Sequence, residues 1–288
     1  MGMGSSLKRV SHSAMVLFLS CFAFAQSGES SPEWGSDEPF NQYYLIHDPF
    51  SSFRPRFEDP QNLLHAPSFV KAVANLLNFD FYNRPLPAPQ EPYNRRGHFG
   101  DWVNDPRDNN CYNTRAKVLI RDSTKPVVFR SNPCVVDGGE WLEPYVGKTA
   151  RLAKEVQIDH LVALKNAYVS GASKWDWPSR CLYANYLGNS FHLVTADARE
   201  NMRKGARTPA DWMPPNRGVT CAYLNNWLRT KMIWGLALNV REAQAIQGIV
   251  RQAGCEPERF MMDERDLKAQ RQTIAANLDL CSRMKPRP

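Results

Sequence analysis

Apolar and polar positions along the chain fall into runs with different periods. Val156-Gln157-Ile158 alternates and ends on Asp159-His160, the signature of a half-buried strand. Leu161 to Ser170 repeats apolar side chains at helical spacing through Leu161, Leu164, Ala167 and Tyr168, and Gly171 stops the repeat. Phe191 to Val194 reads as a second short strand, and Ala198 to Gly205 as a helix with Asp197 as its N-cap. Lys117–Ile120 and Val127–Arg130 are strand-like on either side of Asp122-Ser123-Thr124-Lys125-Pro126, which predicts a hairpin. Glu140 to Gly147 reads as an aromatic-rich loop. Cys221–Met232 and Arg241–Ala253 are amphipathic helices by spacing, and Met262–Leu280 is a longer charged one. No internal repeat is visible.

These patterns predict an α+β domain over residues 93–254 and a helical extension over 255–288. Residues 26–92 are rich in Pro, Ser, Asn and aromatics and read as an arm, with one helix over Ser68–Leu77 and an extended stretch from Arg84 to Pro89. Before it, Lys8 and Arg9 precede an apolar run from Ala14 to Ala25, too short for a membrane span. Ala23-Phe24-Ala25 fits a cleavage site, so residues 1–25 read as a signal peptide and the mature chain as periplasmic or secreted. The rival, a lipoprotein signal on Cys21, has a poor match in Leu19-Ser20.

Composition refines this picture in two ways. Of 288 residues, 36 are Lys or Arg and 29 Asp or Glu; the net charge of +7 suits a polyanionic partner. Hydrophobic content of 43% excludes a disordered chain. Beyond Cys21 the cysteines are Cys111, Cys134, Cys181, Cys221, Cys255 and Cys281, an even set that suggests disulfides in an exported protein. The sequential pairing, Cys111–Cys134, Cys181–Cys221 and Cys255–Cys281, is the expectation. No CxxC or HxxxH spacing supports structural zinc.

The chemistry concentrates where the two short strands and the following helix meet. His160 is a candidate general base. Asp159 is a hard carboxylate suited to Mg²⁺, Mn²⁺ or Ca²⁺, and Asn201 offers an amide oxygen from the helix. Lys204 lies three residues on, near the same helix face, where it would meet a phosphate, and Arg203 extends the positive edge. Arg115 and Arg180 either contact phosphate or serve as structural partners. His192 is either a buried, hydrogen-bonded core residue or part of the site.

This arrangement resembles the HNH nuclease superfamily, a ββα-metal fold, through Asp159-His160 and Asn201-Met202-Arg203-Lys204-Gly205. Within it the chain is similar to secreted bacterial HNH nucleases that share the C-terminal domain of some modification-dependent restriction enzymes. The matching pieces run from Cys111–Arg115 through Gly139-Glu140-Trp141, Pro144-Tyr145 and Gly147 to Ile158–Val162. They continue with Ser170-Gly171-Ala172, Trp175, Arg180, Ala184-Asn185, Glu200–Gly205 and Trp212–Pro215. The chain departs from the pattern at His192, where the family has Asn, and at Tyr186, where the branch has Asp. Asn185 is retained as a second candidate for the bracing role of that missing Asn. The resemblance implies metal-dependent endonucleolytic cleavage of DNA, with RNA as a second candidate and little sequence preference. His160, His192 and Asn185 would serve catalysis, Asp159 and Asn201 one divalent cation, Mg²⁺ foremost. Lys204, Arg203, Arg180 and Arg115 would hold the substrate. The alternative is a catalytically inactive exported nucleic-acid-binding or cell-surface protein of the same fold.

Overall fold

The computed structural model describes residues 43–46, 81–83, 88–256, 260, 262 and 264–282. The expected signal peptide and the expected helix over Ser68–Leu77 lie outside the described residues. Two pieces of the supposed arm are strands: β1 (Tyr43–Ile46) pairs antiparallel with β2 (Phe81–Asn83) and with β8 (Leu238–Asn239). Helix α1 (Arg95–Phe99) follows.

The expected hairpin at residues 117–130 is corrected by the structure. Its first half is helix α2 (Thr114–Asp122), because the Asn113 side chain accepts from Ala116 N at 2.9 Å and caps it. A short apolar run suits strand and helix equally, and the cap decides between them. The second half is β3 (Val128–Phe129), which pairs with β4 (Val136–Leu142), and β4 pairs with β5 (Thr149–Leu152). The expected loop at Glu140 therefore begins inside a strand. Trp141 is fully buried and donates Nε1–H to the Leu119 carbonyl at 2.8 Å, which locks this sheet onto α2.

Strand β6 (Val156–His160) pairs antiparallel with β7 (Leu193–Asp197), with Asp159 opposite Val194 and His160 opposite Leu193. The connection between them carries α3 (Leu164–Val169) and α4 (Trp177–Ala184). Helix α3 starts later than its periodicity suggests, and β7 runs past the expected Phe191–Val194. Helix α4 was not expected, although Asp176, whose side chain accepts from Ser179 N at 2.9 Å, and Pro178 in the first turn form a standard start signal. Helix α5 (Ala198–Lys204) leaves β7 directly, capped as expected by Asp197, which accepts from Arg199 N at 3.0 Å and Glu200 N at 2.9 Å. Gly205, at φ +51°, ends α5 in a conformation that favours glycine. Together β6, β7 and α5 form the expected ββα order within an α+β fold.

Helices α6 (Thr220–Trp234), α7 (Val240–Gln252) and α8 (Glu264–Asn277) complete the described structure. They pack on α3 and α4 in one large core that includes Trp227, Trp234, Tyr183 and Tyr186. A second core places Val118, Leu119 and Trp141 against Val156 and Ile158 of β6. The central hairpin is thus gripped from both sides. Among the described residues, no helix is long and apolar enough to cross a membrane.

Among the described residues three disulfides are present, and two correct the sequential pairing. Cys111–Cys134 is as expected, but Cys181 pairs with Cys281 and Cys221 with Cys255. Pairing follows the contacts of folded elements, and α4 packs against the chain end rather than the start of α6. The Cys181–Cys281 bridge spans 100 residues of sequence, against 34 and 23 for the others. Its removal should therefore be the costliest, about 4–5 kcal/mol on a chain-entropy basis. Urea unfolding of Cys181→Ser/Cys281→Ser beside Cys111→Ser/Cys134→Ser measures this; a larger loss for the second pair would contradict the expected order.

Candidate active site

Strand alternation divides β6 into two working faces. Val156, Ile158 and His160 lie on one face, and Gln157 and Asp159 on the other, against α5. There Asn201 Nδ2 donates to Gln157 Oε1 at 2.8 Å, and Lys204 Nζ donates to Asp159 Oδ1 at 2.9 Å. Positions 201 and 204 are neighbours on one helix face, so α5 reads the strand residue by residue.

Asp159 and Lys204 are both buried, and Lys204 is fully so. The ammonium also donates to the His160 carbonyl at 3.0 Å, and the Tyr145 hydroxyl donates to Asp159 Oδ2. Tyr145 is held by the turn after β4, where buried Glu143 accepts from Tyr145 N at 2.9 Å and Val146 N at 3.0 Å. Burial pushes the Asp159 carboxyl above its ordinary 3.8, while Lys204 and Tyr145 pull it back. Burial and the neighbouring carboxylate push the Tyr145 hydroxyl well above 10, so it stays a donor.

On the opposite face, both histidines end on helix α4. The last four carbonyls of a helix lack intrahelical partners. In α4 all four are taken: Asn185 Nδ2 donates to Cys181 O at 3.0 Å and Asn185 N to Leu182 O at 3.0 Å. His192 Nε2 then reaches Tyr183 O at 2.7 Å and His160 Nε2 reaches Ala184 O at 2.9 Å. A carbonyl only accepts, so each Nε2 carries its hydrogen and each Nδ1 holds a lone pair. Burial pushes both imidazoles towards the neutral form, His192 down to about 4 and His160 well below 6.5.

The two lone pairs sit in different surroundings. His192 Nδ1 is buried without a partner, in a nest of Tyr183, Tyr186 and Trp234 rings. His160 Nδ1 makes no hydrogen bond among the described residues, and one face of its ring is covered by Trp102. The ring centroids of the two histidines are 6.5 Å apart. Asn185 does brace, but its target is the segment around Trp102: Oδ1 accepts from Val103 N at 3.0 Å and Nδ2 donates to Asp101 O at 3.2 Å.

The cationic residues take unequal places. Arg115 donates to the Ala153 and Val156 carbonyls at 3.0 and 3.2 Å, and Arg180 donates to the carbonyls of His98 and Trp175. Both orient backbone in this structure. Arg203 is exposed, with Nη1 on Glu200 Oε1 at 3.0 Å. Lys204 is enclosed with Asp159. Tyr145, Gln157 and Trp102 join the site without having been singled out; only Tyr145 had a signal, its place in a matching piece.

As the side chains stand, Asp159 is closed to a divalent cation by Lys204 and Tyr145. Asp159 and Asn201 are hard oxygen donors of suitable chemistry; both Asp159 oxygens are taken, one by a cation already, whereas Asn201 spends only its Nδ2 on Gln157 and its Oδ1 makes no hydrogen bond among the described residues. A metal ion reaching Asp159 would have to displace the Lys204 ammonium. Among the described residues, no cluster of three or more His, Cys, Asp and Glu side chains stands ready to hold a metal.

Comparison with known proteins agrees with this topology. Residues 116–248 match the family described as the C-terminal domain of GmrSD restriction endonucleases. The chain is also 35% identical over 163 residues to an uncharacterized secreted protein of Arthroderma benhamiae, covering 57% of this chain and 76% of that one. No solved structure matches the chain. Asp159, His160, Asn185, His192, Asn201 and Lys204 all fall inside the matched stretch, in the ββα order and its connection, and the chain belongs to the HNH-type family of the C-terminal domain of GmrSD restriction endonucleases.

Proposed function

We propose that the protein is an exported endonuclease that hydrolyses phosphodiester bonds of DNA with low sequence preference, RNA being the second candidate substrate. The family points to a nuclease, the net charge of +7 favours a polyanion, and the relative described as secreted favours export. The carrying observation is His160, a buried imidazole whose Nε2–H is fixed on Ala184 O, leaving Nδ1 to take a proton from water. Burial keeps it neutral in the free protein. A bound phosphate brings negative charge that raises its basicity when the proton moves. Exposed Arg203, with Arg199 one turn earlier, offers the substrate positive charge.

Lys204 neutralises Asp159 beside the reacting face, and its pairing favours one second reading: a nucleic-acid-binding protein without turnover. Nicking of supercoiled plasmid by the oxidised protein separates the two. The expected result is cleavage by the wild type that falls by about 100-fold or more in His160→Ala, the usual scale for a general base. Parallel assays in Mg²⁺ and in EDTA report whether cleavage needs a divalent cation. Retained binding with no nicking under any condition would establish the second reading.

Two further outcomes follow from burial. Lys204→Met leaves the Asp159 carboxylate unpaired in the interior and should cost about 3–5 kcal/mol in urea unfolding; a loss below about 1 kcal/mol would show that the pair is not closed in solution. His192 takes up its proton more readily unfolded, at the ordinary 6.5, than folded, at about 4. Its contribution is therefore complete above pH 6.5 and is lost as pH falls towards 4, by about 3 kcal/mol. His192→Asn should flatten the acid limb of stability against pH by about one proton; an unchanged slope would contradict the shift.

A further inference from the structure

The base of the proposed hydrolysis has one hydrogen bond holding its ring, and one hydrogen bond does not fix a plane. The Ala184 carbonyl pins His160 Nε2 but leaves the imidazole free to tilt about that contact. Trp102 covers one face of that ring. Its indole lies parallel to the His160 ring, 3° from coplanar orientation with centroids 5.3 Å apart, an offset stack.

Trp102 is itself held from both sides of its backbone. Asn185 grips Val103 N and Asp101 O, and Thr114 N donates to the Val103 carbonyl at 2.9 Å. The peptide groups flanking Trp102 are thus tied to α4 and to α2, the same α4 whose last carbonyls hold both histidines. Position 102 precedes the stretch that matches the family, residues 116–248. The ring is half-buried, with His160 against it.

We propose that Trp102 is a positioning residue: it fixes the plane of the His160 imidazole and so the direction of the Nδ1 lone pair. The inference rests on His160 being the base. It assigns Asn185 an indirect part, clamping the strap that carries Trp102.

The test uses the full-length oxidised protein as wild type, Trp102→Ala and Trp102→Phe, with plasmid nicking resolved into kcat and KM. Trp102→Ala should lower kcat by about 10- to 100-fold, the scale of a misaligned reacting group, with KM within about twofold. Trp102→Phe, which keeps a flat ring, should recover most of the loss. A rise in KM at unchanged kcat would overturn the proposal and make Trp102 a base-stacking contact to the substrate. Equal kcat in wild type and Trp102→Ala would overturn it outright. The His160 ring-proton shifts, assigned with His160→Ala, give a reading independent of turnover. They should carry the indole ring-current shift in the wild type and lose it in Trp102→Ala while the fold is retained. If the wild type does not cleave, the hydrolase reading fails, and these shifts alone decide whether Trp102 orients the ring: unchanged shifts in Trp102→Ala would overturn the stack.

Discussion

The buried ion pair between Lys204 and Asp159 is the contact on which the site depends. Two charges taken out of water stay there only when their geometry is good and their remaining valences are filled. Here Asp159 receives the Tyr145 hydroxyl as well as the ammonium, and Lys204 also reaches the His160 carbonyl. The pair therefore joins the last turn of α5, the end of β6 and the turn after β4. Because Asp159 and His160 are adjacent on a strand, fixing Asp159 against α5 turns His160 to the other face. The position of the proposed base is set by a charge pair it does not touch with its own ring.

The second constraint is the end of helix α4. Each of its final carbonyls needs a donor, and the fold supplies the backbone and side chain of Asn185 and the two imidazoles. One short helix thereby fixes the tautomer of both histidines. The two differ in surroundings: the His192 lone pair is buried among aromatic rings, whereas His160 Nδ1 makes no hydrogen bond among the described residues and lies beside Trp102. The Cys181–Cys281 bridge anchors this helix to the chain end, so the disulfide and the proposed base share one support.

Local signals made the ββα frame legible. Alternation at Val156–Ile158, the Asp197 cap and the Asn201–Gly205 spacing gave β6, α5 and their order, because each is decided within a few residues. The failures were of two kinds. Lys117–Ile120 is short enough to suit either period, and the Asn113 cap that settles it as helix was overlooked, as was the Asp176–Pro178 start of α4. The others were out of reach of local pattern. Asn185 and Val103 are 82 residues apart in sequence, and Cys181 and Cys281 are 100 apart. Chemical type alone also does not show that Arg115 and Arg180 each donate to two backbone carbonyls, the structural alternative to a phosphate contact. Lys204 shows the same limit: its spacing puts it on the helix face of Asn201, but does not show that it closes on the Asp159 carboxylate.

The fold presents His160 as a neutral imidazole with its hydrogen on Nε2 and its lone pair on Nδ1. Nitrogen-15 spectra of the histidine-labelled protein near pH 7, with the His160 signals assigned by His160→Ala, measure this directly. The account predicts a protonated Nε2 coupled to a bare Nδ1. A hydrogen on Nδ1, or an imidazolium at neutral pH, would contradict it.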